Sequence, residues 1–120
     1  MVATRVLVVD DNDRVRRAIV EMLKDGCEVC GEAANGVEAV DRVRALGPDI
    51  VLLDLNMPIM DGYQAAETIL SFAPATKIVF ISLDDSPSSA YAVKAAGAQG
   101  FISKSCGSRA FKEAISAFVK

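Results

Sequence analysis

Five short apolar runs alternate along the chain with five amphipathic stretches. The apolar runs are Arg5 to Val9, Cys27 to Glu32, Asp49 to Leu53, Lys77 to Ile81 and Gly100 to Ile102. Most are rich in Val, Ile and Leu with little polar alternation, the pattern of strands covered on both faces. Between them the spacing is helical. Val15, Ala18, Ile19, Met22 and Leu23 fall at i, i+3, i+4, i+7 and i+8, a single apolar stripe. Ala39, Val43 and Leu46 repeat the spacing, as do Ala66, Ile69 and Leu70. Ala90, Val93 and Gly97 mark a fourth helix with small contact residues, and Phe111, Ala114, Ile115 and Phe118 mark a fifth. Gly26 is expected to close the first helix, Gly47-Pro48 the second, and Pro74 follows the third. Ser86-Pro87 reads as an N-cap with proline at the first helical position. Five βα units predict an α/β fold: a five-stranded parallel sheet with helices on both faces and right-handed crossovers. For this length the flavodoxin-like doubly wound order 2-1-3-4-5 fits best.

The chain is 120 residues long, one domain's worth. Hydrophobic residues are 52% and charged residues 24%, which excludes disorder. Thirteen Lys and Arg against sixteen Asp and Glu, with no His, leave a net charge of −3 and make direct nucleic-acid binding a poor prospect. No apolar run is long enough to cross a bilayer, and no leader peptide is read at the N-terminus, so a cytoplasmic setting is expected. The three cysteines, Cys27, Cys30 and Cys106, fit reduced thiols. Cys27 and Cys30 have the spacing of a redox or zinc pair. Three positions apart on a strand, though, they point to opposite faces, and no His or second pair completes a zinc set. They read as packing residues.

The chemistry lies at the strand ends. In this topology ligands bind outside the carboxyl ends of the strands, at the point where the strand order reverses. Strand one ends in Asp10-Asp11, strand three in Asp54, strand four in Ser82 and strand five in Ser103-Lys104. With strands one and three adjacent, Asp10, Asp11 and Asp54 converge. Two carboxylates 4 Å apart repel by roughly 4 kcal/mol at an effective dielectric of 20. Either one carboxylate takes up a proton or a cation lies among them. Oxygen-only ligands select a hard divalent ion, Mg²⁺ by preference, and Mg²⁺ leaves room for a phosphoryl oxygen. Lys104 arrives opposite the acids, where it can pair with Asp54 at rest and with a phosphoryl group later. Ser82 offers a hydroxyl. Helix capping accounts for Asn12 or Asp13 but not for three carboxylates, a hydroxyl and a lysine at one sheet edge.

These residues resemble the receiver domains of bacterial two-component response regulators. The resemblance spans essentially the whole chain. It is carried by Val8-Val9-Asp10-Asp11, by Asp54-Leu55-Asn56-Met57-Pro58-Ile59-Met60-Asp61-Gly62, by Ser82 and by Lys104. It implies that Asp54 is the phosphoacceptor, taking its phosphoryl group from a sensor histidine kinase or a small acyl phosphate. It further implies that Asp11 and Asp54 hold Mg²⁺ by side chains, Asp10 mostly through water and Asn56 through its backbone carbonyl, while Ser82 and Lys104 grip the phosphoryl oxygens. In the family, movement of the strand-four hydroxyl lets an aromatic on strand five turn inward. Phe101 holds that place here, without the hydroxyl of the tyrosine often found there, and reads equally as a core phenylalanine. The output face implied is helix four, strand five and helix five. That face, or helices one and five, would carry any homodimer. Ser105 after Lys104 resembles the branch linked to helix-turn-helix DNA-binding effectors. The 120 residues are read as the receiver alone, with no effector domain. Arg14, Arg16 and Arg17 read as a solvated helix face.

Three alternatives make different demands on these residues. A flavin module would need a hydroxyl- and glycine-rich phosphate cradle where Asp10-Asp11-Asn12-Asp13 stands. An aspartate-nucleophile phosphatase would need a second acid where Asn56 stands. A degenerate receiver, acting only as an interaction module, would not need the complete set of acids, hydroxyl and lysine. The expectation is a signalling domain rather than an enzyme with turnover.

Overall fold

A computed structural model describes residues 3–82, 94–104 and 107–119. The strands are β1 (Arg5–Val9), β2 (Glu28–Ala33), β3 (Ile50–Asp54), β4 (Lys77–Ser82) and β5 (Gly100–Ser103). The helices are α1 (Asp13–Leu23), α2 (Gly36–Leu46), α3 (Gly62–Phe72) and a C-terminal helix (Ser108–Val119). All strand pairs are parallel, in the order β2-β1-β3-β4-β5, as the pattern predicted. Successive side chains of β1, β3 and β4 pack alternately into two cores. Leu7, Val9, Val51, Leu53, Ile78 and Phe80 face α2 and α3. Val6, Val8, Ile50, Leu52, Val79 and Ile81 face α1 and the C-terminal helix. Both faces of the central strands are therefore dry, and this is why their sequences run apolar without alternation.

Asn12 and Gly47 punctuate the helices where the sequence predicts them. Asn12 caps α1, its Oδ1 accepting from Val15 N–H at 3.1 Å. Asp61 and Gln64 close a reciprocal capping box on α3. Gly47 ends α2 in the left-handed conformation at φ 56°, where its N–H donates to the Val43 carbonyl. Gly62 is required by close approach: a Cβ there would strike the Asp54 carbonyl and the Leu55 backbone. Glycine thus lets α3 start directly against the end of β3.

Four expectations are corrected or limited. Helix α1 ends at Leu23, with Lys24 as its C-cap, so Gly26 lies in the following turn rather than closing the helix. Ala18 is exposed although it falls on the apolar stripe, because it borders an open cleft toward the C-terminal helix. Gly97 is not a helix contact residue. Lys94 and Ala95 are helical, and Gly97 turns the chain at φ 84° with its N–H on the Lys94 carbonyl. Ser86-Pro87, Ala90 and Val93, which carried the rest of the fourth helix, lie outside the described residues, as do Ser105 and Cys106.

Cys27 and Cys30 form no disulfide. Cys27 precedes β2 and its thiol meets the Leu23 carbonyl. Cys30 lies where the β1–β2 register slips, its thiol against the Val6 carbonyl. Burial pushes both thiols above their ordinary pKa, which keeps them protonated. Among the described residues no helix is long and apolar enough to span a membrane.

Candidate functional site

Two strand ends meet at the β1–β3 boundary. Val9 pairs with Leu53 across that boundary, so the residues that follow, Asp10 and Asp54, emerge side by side. One carboxylate oxygen from each of Asp10, Asp11 and Asp54 lies within 4.8 Å of the others. Asp10 is fully buried, Asp54 is 4% exposed, and Asp11 opens to solvent. Few donors reach these acids. Asn12 N–H donates to Asp10 Oδ1 at 2.9 Å, and Asn56 N–H donates weakly to Asp54 Oδ1 at 3.4 Å. Asp10 Oδ2 is wholly buried and accepts no well-aligned hydrogen bond. Among the described residues its close partner is the Lys104 ammonium at 2.6 Å, an ion pair by distance.

The sequence reading paired Lys104 with Asp54. In the structure Nζ reaches both acids and is nearer to Asp10, at 2.6 Å, than to Asp54, at 3.3 Å. The physical reason is burial: the Asp10 carboxylate has no route to water, so it has most to gain from the cation. Asp54 is left under-compensated. Burial, and then the charge of Asp10, push its carboxyl up to about 6, against the pull of Lys104 and of the Asn56 N–H. Among the described residues a single ammonium therefore pairs with two of the three clustered carboxylates, and a surplus of negative charge remains. The residues fit a hard divalent cation on two grounds: an all-oxygen donor set, and three clustered carboxylates of which the ammonium pairs with only two.

Of the other expected groups, Ser82 reaches the same edge and Phe101 lies two positions inside it. Ser82 is buried at the end of β4, and Asn56 Nδ2 approaches its Oγ at 3.5 Å. Phe101 is half-buried on β5, packed on the core cluster that includes Phe80 and Ala66. The loop beyond Asp54 is tightly turned. Met60 N–H donates to the Pro58 carbonyl at 2.8 Å, and Ile59 between them takes φ 73° while remaining 80% exposed. That is an uncommon conformation for a β-branched residue.

Two features escaped the sequence reading. The acidic crevice opens into a cleft of about 400 Å³ whose far wall is apolar, with Val15, Ile19 and Met22 of α1 and Phe111 of the C-terminal helix. And Arg16 is not on a solvated face. Its side chain is only 13% exposed and bonds to Asp10, Asp13 and Glu32, while Arg14 and Arg17 are exposed as expected. The signal was in the spacing: Ile19 and Val20 follow Arg16 at i+3 and i+4, which puts it at the rim of the buried stripe.

Comparison with known proteins gives a consistent picture. A family model described as the response regulator receiver domain matches residues 6–116. The chain is 40% identical over 115 residues to chemotaxis protein CheY of Halobacterium salinarum, covering 95% of each. It is 38% identical over 113 residues to response regulator GacA of Pseudomonas viridiflava, covering 92% of this chain but 53% of that protein. It spans smaller shares still of the protein-glutamate methylesterases that it matches. The receiver domain of the putative response regulator NarL from Mycobacterium tuberculosis superposes with a TM-score of 0.89 at 34% identity, covering 99% of this chain and 98% of that one.

Proposed function

The chain belongs to the response regulator receiver domain family, and from that premise we propose that Asp54 accepts a phosphoryl group in a cation-assisted transfer. The observation that carries the reading is the imbalance at the crevice. Three carboxylates cluster where one ammonium pairs with only two of them, closer to the more buried. Asp10, Asp11, Asp54 and the Asn56 backbone carbonyl would hold Mg²⁺, which supplies positive charge beside the transferring group. Lys104 would then move toward the phosphoryl oxygens, with the Ser82 hydroxyl as a second donor.

In the transfer, an Asp54 carboxylate oxygen attacks the phosphorus of a phosphohistidine on a sensor kinase. The new P–O bond forms as the P–N bond breaks, and the imidazole leaves with the bonding pair. Asp54 must be ionised to attack. A neighbouring cation favours that state and opposes the burial that holds its proton on. Hydrolysis of the acyl phosphate returns the carboxylate.

The output that we propose is a change on the face that β5 and the C-terminal helix contribute to, with Phe101 as the aromatic that responds to Ser82. In the whole protein it would be read by a partner surface or by a helix-turn-helix DNA-binding domain in the same polypeptide. The chain spans 53% of its GacA relative and 95% of its CheY relative, so relatives of both lengths carry this domain. The receiver itself would contribute phosphotransfer and its reversal rather than turnover of a metabolite. An interaction module independent of phosphorylation is disfavoured by the full set of Asp54, Ser82 and Lys104 at one sheet edge. The deciding experiment is intact mass after incubation with acetyl phosphate. The expected result is one added phosphoryl group with Mg²⁺, none with EDTA, and none in Asp54→Ala. Labelling that persists in Asp54→Ala would overturn the assignment.

A further inference from the structure

We propose that Arg16 is the positioning residue of the acid cluster, fixing Asp11 through the backbone. The inference rests on the reading above, that these carboxylates hold a divalent cation. Two of the three acids are placed by contacts of their own side chains. Asp10 is held by the Asn12 N–H and Lys104, and Asp54 by the Asn56 N–H and Lys104. The Asp11 carboxylate has no hydrogen-bond or ion-pair partner among the described residues, yet it lies within reach of the other two. Its position follows from the backbone that carries it.

Arg16 holds that backbone. Strand β1 ends at Val9, so the Asp10 carbonyl has no strand partner in the ladder. Arg16 Nη1 donates to it at 2.8 Å. That carbonyl belongs to the peptide unit joining Asp10 to Asp11. The unit is planar, so the direction of its C=O sets the direction of the Asp11 N–H and the starting point of the Asp11 side chain. The guanidinium is itself fixed from two other sides. Nη2 donates to Asp13 Oδ1 at 2.6 Å on α1, and Nε donates to Glu32 Oε1 at 3.0 Å on β2. A planar fork with three acceptors in fixed directions leaves it little freedom, and a lysine could not reproduce it. The two carboxylates more than offset the arginine's charge, so it orients the acids without repelling a cation.

Groups that orient metal ligands from outside the coordination sphere typically change metal affinity by about 10–100-fold when removed. Mg²⁺ affinity should be measured by isothermal titration calorimetry, with thermal unfolding of the metal-free protein recorded in parallel. Arg16→Ala is expected to weaken Mg²⁺ binding about tenfold or more, with a displaced amide resonance for Asp11. Arg16→Lys should fall between this variant and wild type. Arg5→Ala removes an equally well-bonded arginine at the opposite end of the sheet and serves as the structural control. It should lower the melting temperature and leave Mg²⁺ affinity unchanged. Wild-type affinity in Arg16→Ala, or a loss no greater than in Arg5→Ala, overturns the proposal. If Arg16→Ala does not fold, Arg16→Lys decides: unchanged affinity counts against the role and reduced affinity supports it. Failure of the wild-type protein to bind Mg²⁺ would instead strike the proposed function.

Discussion

Charged residues crowd both ends of this sheet, and the two ends use them differently. At the amino ends, Asp49 Oδ2 accepts the Arg5 backbone N–H at 2.9 Å. The Arg5 side chain donates to Glu28 and to the carbonyls of Leu46 and Gly47, which close α2. Each of these acids has its own donor, and the cation is spread over carbonyls that would otherwise be orphaned at a helix end. At the carboxyl ends, Asp10, Asp11 and Asp54 cluster, and the one lysine among the described residues that pairs with them reaches only Asp10 and Asp54. A charged residue at a strand end is therefore no sign of function by itself. The sign is like charge in excess of the donors that could satisfy it, held there by a fold that gains nothing from it.

The contrast can be broken by exchanging costs between the two ends. Asp11→Ala is expected to weaken Mg²⁺ binding by tenfold or more while leaving the metal-free protein at least as stable as before, since it removes only repulsion. Calorimetric titration and a melting curve check the two halves together. Unchanged Mg²⁺ affinity would remove Asp11 from the site. Arg5→Ala should behave in the opposite sense. It strips a donor from the α2 carbonyls and from Glu28, for a stability loss of about 1–3 kcal/mol. In a domain of this size that is a fall of several degrees in melting temperature. Urea or thermal unfolding measures it, and a loss of Mg²⁺ affinity in the same variant would merge the two ends into one network.

Much of this was legible in the sequence because period and position carry it. The bounds of β1, the strand order and the convergence of Asp10 with Asp54 follow from which residues close which strands. What stayed hidden depends on three-dimensional direction. Three arginines within four residues look alike in a string, yet only Arg16 turns across the end of β1 to Glu32. Spacing placed Lys104 at the right edge but could not say which acid it would favour. That choice is set by how deeply each carboxylate is buried, a property of the packed fold. Ala18 kept its periodic place and lost its burial because the C-terminal helix leaves a cleft beside it.

The subtlest difference between the two ends should appear in the pH dependence of the metal-free protein. Asp54 has an ordinary value of 3.8 and is held at about 6 in the fold, chiefly by burial. A carboxyl whose folded value lies above its unfolded one binds its proton more tightly when folded, so protonation stabilises the native state. That contribution is complete below about pH 4 and is lost as the pH rises through about 6. A two-unit shift corresponds to roughly 3 kcal/mol, and solvent at the open mouth of the crevice should screen this to about 1–2 kcal/mol. In EDTA, wild type should therefore lose stability relative to Asp54→Asn between pH 4 and 7, because the asparagine has no proton to give up. Saturating Mg²⁺ should shrink or reverse the gap by favouring the ionised acid. Parallel stability curves for the two proteins in EDTA would mean that the buried end is as well compensated as the Arg5 end, and the contrast between them would fall.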